Sequence, residues 1–162
     1  MHLTISDELA PGLKDHLALI SEQLSRLVPR GEFHHIGATA IPGSLTKGDV
    51  DVLLRVDALD FPASAAALQR RFEINQPENW TDVFASFKDE LSFPFPLGVQ
   101  LVVKESEYDF FLFLVDYFTS NAAHLAEYNR IKQESALLGA DEYRNAKERY
   151  LTPIVAARQR QG

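Results

Sequence analysis

The stretch from Gly37 to Val56 reads GATAIPGSLTKGDVDVLLRV and is the most informative part of the sequence. Its first part, from Gly37 to Gly48, combines glycines, a proline and hydroxyl side chains, which is typical of a long loop and not of a helix. Its second part starts in strict alternation and becomes almost continuously apolar, as a central strand does. Because successive side chains point to opposite faces of a strand, Asp49 and Asp51 are expected on the same face.

The segments outside this stretch predict a protein of the α/β (α+β) class. Apolar residues at helical spacing predict a first helix at about 7–28. Further strands are expected at 32–36, 72–75, 83–87 and 98–103, a helix at 58–72, and C-terminal helices at 107–119, 121–138 and 141–158. Since no repeat or composition shift marks a boundary, we expect a single domain over 1–162, with its sheet core at about 32–104 and its C-terminal helices at about 107–158.

Composition and charge exclude several classes of protein. The chain has 162 residues and no cysteine, which rules out a disulfide scaffold, a zinc ribbon and thiol chemistry. A formal net charge of -7 makes a nucleic-acid partner unexpected. The N-terminal residues lack the pattern of a secretory signal, and no apolar run is long enough to span a membrane. We therefore expect no membrane partner and a cytoplasmic location.

The two aspartates point to metal-dependent phosphate chemistry. Carboxylates at i and i+2 on a strand project side by side, where they can share a divalent cation, and Mg²⁺ prefers such hard oxygen ligands. A preceding loop rich in glycine lets backbone amides approach phosphate oxygens closely. The expected ligand is therefore a nucleotide or another phosphorylated small molecule. Taken alone, the same motif also fits an Asp49 that caps a turn and an Asp51 on a solvated strand face.

The loop and strand together resemble a known family. His35-Ile36-Gly37-Ala38-Thr39-Ala40-Ile41-Pro42-Gly43, with Lys47 and Asp49-Val50-Asp51-Val52, is similar to the signature of the GrpB-like family of the nucleotidyltransferase superfamily. Downstream segments match family segments in the same order: Asp116-Tyr117-Phe118, Glu127-Tyr128-Asn129 with Lys132, and Tyr143-Arg144-Asn145-Ala146-Lys147. The resemblance extends from about Glu32 onward. It implies a nucleotidyltransferase-like mixed sheet flanked by helices, with a helical C-terminal part.

The resemblance also implies roles for individual residues. Asp49 and Asp51 would be the catalytic carboxylates and the ligands of Mg²⁺. The phosphates of the substrate would be bound by Gly37, Thr39, Ser44, Lys47, Gln100, Arg144 and Lys147. For Lys47 and Lys147, a purely neutralising role beside the carboxylate pair is as well supported as phosphate binding. For Arg144, a surface ion pair with Asp141 or Glu148 is slightly favoured over a basic clamp with Lys147.

Two departures from the superfamily pattern bear on activity. Nucleotidyltransferases commonly have Gly-Ser where this chain has Gly37-Ala38, so Thr39 or Ser44 would have to supply any hydroxyl contact to phosphate. They also commonly carry a third carboxylate on a later strand. Here that strand contains Gln100, which cannot act as a base but can donate a hydrogen bond to phosphate or ligate weakly through its carbonyl oxygen.

Three hypotheses follow. The first is metal-dependent nucleotide binding, with nucleotidyl transfer to an acceptor. The second is a catalytically inactive domain of the same fold that serves as a ligand-binding or protein-interaction module. The third is a structural subunit that forms a homodimer through the aromatic stretch between Phe110 and Phe118.

Overall fold

The computed structural model describes residues 1–161 and contains one main sheet with helices on both faces. The strands are β1 (Thr4–Ile5), β2 (Glu32–Ile36), β3 (Leu45–Thr46), β4 (Val50–Val56), β5 (Glu73–Ile74), β6 (Phe84–Asp89) and β7 (Leu97–Val103). The helices are α1 (Ser6–Leu27), α2 (Phe61–Gln69), α3 (Phe111–Ser120), α4 (Ala122–Ala136) and α5 (Ala140–Gln161). Of the helices within these residues, none combines the length and the apolar character that a bilayer crossing needs.

The main sheet is mixed, with the strand order β2-β4-β7-β6-β5. Strands β4 and β7 run parallel, and every other neighbouring pair is antiparallel. Strand β1 pairs with β3 in a separate two-stranded ribbon. The expected mixed sheet flanked by helices, with helices following it in the chain, is confirmed.

The two faces of the sheet are covered to different extents. The face that carries Val52, Leu54 and Val99 packs against α1 and α2 in the largest apolar cluster of the protein. The opposite face packs against α3 through a smaller cluster around Leu53 and Val102. Asp51 lies on this second face, two positions from Leu53 along the strand. The carboxylate motif is therefore at the start of β4, on the side of the sheet that faces α3.

Several element boundaries differ from the sequence prediction, and the differences have local causes. The helix expected from Ala58 starts as a 3₁₀ turn, and the α-helix begins at Phe61, with Pro62 in its first turn where the missing N–H is tolerated. Helix α3 begins at Phe111 and not at 107. The carboxylate of Asp109 just before it accepts two hydrogen bonds from Arg55 and one from the N–H of Glu105, which holds this segment in a turn.

The loop from Gly37 to Gly48 is more ordered than its composition predicts. It contains a 3₁₀ turn over Ala38–Ala40 and the short strand β3. The N-terminal segment holds it in place, because the Ser6 hydroxyl donates to the Ile41 carbonyl at 2.6 Å and the Gly43 N–H donates to the Asp7 carboxylate at 2.7 Å. The loop therefore approaches β4 in a defined conformation.

Candidate functional site

Asp51 lies between two glycines: Gly98 on β7 and Gly37, which directly follows β2. In register, it is opposite Ile36 on β2 and Gly98 on β7. A Cβ atom added to Gly37 would lie 2.9 Å from Asp51 Oδ2, and one added to Gly98 would lie under 3.0 Å from Oδ1, closer than real Cβ atoms approach. The carboxylate therefore occupies space that any side chain at either position would take. Gly37 has φ of 76°, a conformation that also favours glycine.

Asp49 lies just before β4 and interacts electrostatically with Asp51. Burial and the neighbouring Asp49 raise the pKa of Asp51 to about 6, against the opposing effects of Lys147, Lys47 and the Gln100 amide. The effect of burial, together with the charge of Asp49, therefore outweighs that of the nearby positive charges. A bound divalent cation would supply the missing positive charge at hard oxygen ligands.

Two lysines bring positive charge to the carboxylate pair from different elements. Lys47, in the loop before β4, has its Nζ atom 3.7 Å from Asp49 Oδ2. Lys147 reaches the pair from α5, where its ammonium lies 5.1 Å from the centre of the Tyr143 ring. Burial lowers the pKa of Lys147, and the carboxylates of Asp49 and Asp51 oppose this shift. The structure thus brings the four predicted residues together.

Arg144 is less closely involved. Its guanidinium is 59% exposed and lies 3.6 Å from Asp141, one turn earlier on α5. This is the ion pair that the sequence slightly favoured. Exposed pairs of this kind contribute little to stability and exchange easily, so Arg144 is free to turn toward an anion.

Thr39 and Ser44 are buried beneath the loop surface. Thr39 is 7% exposed, and its hydroxyl is 2.8 Å from His35 Nε2. Ser44 is fully buried, and its hydroxyl accepts a hydrogen bond of 2.8 Å from Lys132. Both hydroxyls therefore have protein partners that fix the loop. To contact a phosphate, either hydroxyl would have to give up its present hydrogen bond.

Asn129 and Lys132, on the face of α4 toward the loop, were not predicted as site residues. The Asn129 side chain accepts from the N–H of Leu45 and donates to the carbonyl of Gly43, both at 2.9 Å. Lys132 is 1% exposed and donates to the Ser44 hydroxyl and the Leu45 carbonyl. Burial lowers the pKa of Lys132 to about 7, and nearby Lys147 adds to the shift. In the sequence, Asn129 and Lys132 were noted only as part of the family resemblance, which gave neither residue a role.

Gln100 lies on β7, on the strand where nucleotidyltransferases commonly carry a third carboxylate. A Cβ on Gly98 would lie 3.5 Å from Gln100 Nε2 as well as against Asp51, so the amide lies beside the carboxylate. Within residues 1–161, no group of three or more His, Cys, Asp or Glu side chains converges as a ready metal site. Asp89 does not contribute to this site, since its carboxylate binds Arg71 and two backbone N–H groups.

Comparison with known proteins identifies one family that matches the chain and solved structures that share its fold. The model of the family described as GrpB protein matches residues 7–157. A UPF0157 protein of Vibrio cholerae serotype O1 is 25% identical over 133 residues, covering 82% of this chain and 70% of that protein. The crystal structure of the conserved protein GrpB from Enterococcus faecalis superposes with a TM-score of 0.70 at 15% identity, over 94% of this chain and 99% of that one.

A second kind of solved structure shares the fold. The Cid1 poly(U) polymerase with MgGTP bound matches with a TM-score of 0.53 at 14% identity. The match covers 82% of this chain but 45% of the polymerase, so this chain corresponds to less than half of that protein. At this identity the likeness concerns the nucleotidyltransferase fold alone.

Proposed function

The chain belongs to the GrpB family, and from this premise we propose that it binds a nucleoside triphosphate with Mg²⁺ at Asp49 and Asp51 and transfers the nucleotidyl group to an acceptor. The observation that carries the proposal is the position of Asp51. Its carboxylate lies between Gly37 and Gly98 and near a second carboxylate, and burial together with that second charge raises its pKa. Glycine in a strand often marks a place where a ligand or another group approaches the backbone closely.

The residues fit Mg²⁺. Asp49 and Asp51 supply hard, anionic oxygens, and phosphate oxygens of a substrate would complete the coordination. Bound there, Mg²⁺ would neutralise phosphate charge and polarise the α-phosphate toward attack. Because the chain offers two carboxylates and not three at this point, the proposal includes weak metal binding in the absence of nucleotide.

The chain's own cations supply the remaining charge. Lys47 and Lys147 lie at the carboxylate pair, and Arg144 is exposed on the same helix as Lys147. In a protein of net charge -7, these three cations place positive charge beside the carboxylate pair, where it can contact the phosphates of a ligand. Asn129 and Lys132 act through the loop, since they fix the backbone of Gly43 and Leu45 without reaching the ligand themselves.

The proposal is tested by calorimetric titration of ATP, GTP, CTP and UTP with and without Mg²⁺. We expect binding that requires Mg²⁺ and is lost in Asp51→Asn, which keeps the side-chain size but removes the charge. The matched control is Asp57→Asn, because Asp57 follows the opposite end of β4, is 71% exposed and pairs with Lys104. Binding that is independent of Mg²⁺, or equal in Asp51→Asn and the wild type, would contradict the proposal.

Turnover separates catalysis from binding alone. Pyrophosphate release that depends on an acceptor would support the transferase. Mg²⁺-dependent binding without release, across hydroxyl, phosphate and carboxylate acceptors, would instead favour a catalytically inactive ligand-binding module. Since nucleoside triphosphates are consumed in the cytoplasm, the proposal also assigns the protein to that compartment.

A further inference from the structure

Lys132 is a buried cation whose contacts are all with neutral groups. It projects from α4 beneath the loop before β4 and is 1% exposed. Its ammonium donates to the Ser44 hydroxyl at 2.8 Å and to the Leu45 carbonyl, and it lies 4.5 Å from the centre of the Tyr128 ring. Within residues 1–161 it forms no ion pair. Because burial of a charge without a counter-ion is costly, the charged form of Lys132 lacks part of its compensation.

Two charged residues of the candidate site act on Lys132 from a distance. Burial lowers the pKa of Lys132, Lys147 of α5 adds to this shift, and Asp49 opposes it. The loop contributes a hydroxyl and a backbone carbonyl, which carry no charge. Burial raises the pKa of Tyr128 above its ordinary value and that of Tyr143 to about 12, so both rings are neutral. The ammonium is therefore coupled electrostatically to the residues that would hold the ligand.

An anionic ligand at the carboxylate pair would supply negative charge to Lys132. A nucleoside triphosphate remains a net anion when one Mg²⁺ ion is bound to it. At Asp49 it would lie among the groups whose charges already act on Lys132. A nearby anion favours the protonated form of a lysine and raises its pKa. By thermodynamic linkage, protonation of the lysine must then strengthen binding of the ligand to the same extent.

We propose that Lys132 is a positioning residue whose proton is linked to the ligand: the site binds a nucleotide most tightly when Lys132 is charged, and binding to the neutral form takes up a proton. This inference rests on the proposed function. The proton comes from solvent and ends on Nζ, with no covalent bond to the ligand. The charged form has three N–H donors for its three contacts, the Ser44 hydroxyl, the Leu45 carbonyl and the Tyr128 ring, whereas the neutral amine has two.

The linkage fixes the sign of a pH dependence. In the free protein burial lowers the pKa of Lys132 to about 7, so this residue is mostly charged below pH 7 and mostly neutral above it. An opposite charge nearby typically raises the pKa of a lysine by about one or more. Nucleotide affinity should therefore fall by about fivefold from pH 7 to pH 9, and binding at pH 7.5 should take up about half a proton at Lys132.

Calorimetry in buffers of different ionisation enthalpy measures the proton uptake directly. The full chain is titrated at pH 7.5, in HEPES and in Tris, with saturating Mg²⁺ and the nucleoside triphosphate that it binds. Because Lys147 also gains an anionic neighbour, the wild type is compared with Lys132→Met, which removes one charge and keeps a side chain of similar length. We expect the uptake to be smaller by about half a proton in this variant, and the fall in affinity between pH 7 and pH 9 to be about fivefold weaker.

Asn129→Ala is the matched control. Asn129 holds the same loop from the same helix, through the N–H of Leu45 and the carbonyl of Gly43, but it has no ionisable group. We expect this variant to bind the nucleotide more weakly and to take up as many protons as the wild type. A role of Lys132 that was only structural would weaken binding without changing the uptake.

Several outcomes would overturn the inference and leave the nucleotide site intact. These are equal proton uptake in the wild type and Lys132→Met, and an equal loss of uptake in Lys132→Met and Asn129→Ala. A wild-type affinity that is flat from pH 7 to pH 9 would also overturn it, and that measurement needs no variant to fold. Absence of Mg²⁺-dependent nucleotide binding would overturn the proposed function itself, and this inference with it.

Discussion

Gly98→Ala tests whether the position of Asp51 is what the site depends on. The added Cβ would lie under 3.0 Å from Asp51 Oδ1, whereas ordinary contacts begin near 3.4 Å. Strand β7 cannot retreat, because it is hydrogen-bonded to β4 on one side and β6 on the other. The carboxylate must move instead by about 1 Å, a displacement that costs roughly a hundredfold where reacting groups are aligned.

The direction of that movement is also restricted. On its other side the Asp51 carboxylate is close to Gly37, where a Cβ would lie 2.9 Å from Oδ2. We therefore expect Gly98→Ala to weaken Mg²⁺-dependent nucleotide binding by at least about tenfold, with turnover reduced by roughly a hundredfold. Calorimetric titration and pyrophosphate release measure the two effects, and a crystal structure of the variant measures the displacement.

The matched control is Gly12→Ala. Gly12 lies inside α1 with nothing within 4 Å of an added Cβ, so alanine should stabilise the helix by about 0.5–1 kcal/mol and leave binding unchanged. Wild-type nucleotide affinity in Gly98→Ala, with Asp51 shifted as expected, would refute the argument that its exact place matters. An unshifted carboxylate would refute the steric argument itself.

Three further outcomes concern ionisation. Because burial and Asp49 raise the pKa of Asp51 to about 6, protons compete with the cation, and Mg²⁺-dependent nucleotide affinity should fall as the pH is lowered through 6; an affinity that is flat from pH 5 to 8 would contradict this. Burial lowers the pKa of Lys132 to about 7 in the folded protein, from about 10.5 in the unfolded chain, so between these pH values only the unfolded chain is protonated at Lys132. The stability of the wild type relative to Lys132→Met should therefore fall by about 1.4 kcal/mol per pH unit as the pH is lowered from 10 to 7. Urea unfolding at several pH values measures this slope, and parallel curves would exclude it. Burial alone would raise the pKa of Asp89, but hydrogen bonds from Ser92, Leu91 and Arg71 lower this pKa to about 2. The wild type should therefore be more stable than Asp89→Asn by about 2 kcal/mol above pH 4, and this advantage should be lost toward pH 2. A difference in thermal stability between the two proteins that is unchanged at pH 2 would exclude this prediction.

Local patterning was enough to predict the strands of the main sheet and the carboxylate pair, but not the short strands β1 and β3. Alternation from Asp49 to Val52 indicated a central strand with both aspartates on one face, and the structure gives β4 that position. The first helix was expected at about 7–28 and begins one residue earlier, since a 3.6-residue period is a property of the segment itself. Boundaries were less accurate where side chains from elsewhere fix the backbone, as Arg55 does at Asp109.

The neighbours of Asp51 and the contacts of the loop could not be predicted from such patterning. Gly98 meets Asp51 only because β7 joins β4 in parallel. Ser44 was placed by resemblance among the phosphate-binding residues, yet its hydroxyl is buried against Lys132 of α4.

Local sequence patterns therefore predict the elements and the chemistry that they carry: the glycine loop, the central strand and the two carboxylates. Which glycines make room for Asp51, and which lysines lie near it, depends on the tertiary structure. The physical reason is that periodicity and turn composition act over a few neighbouring residues, whereas strand register and helix docking bring together residues far apart in the chain.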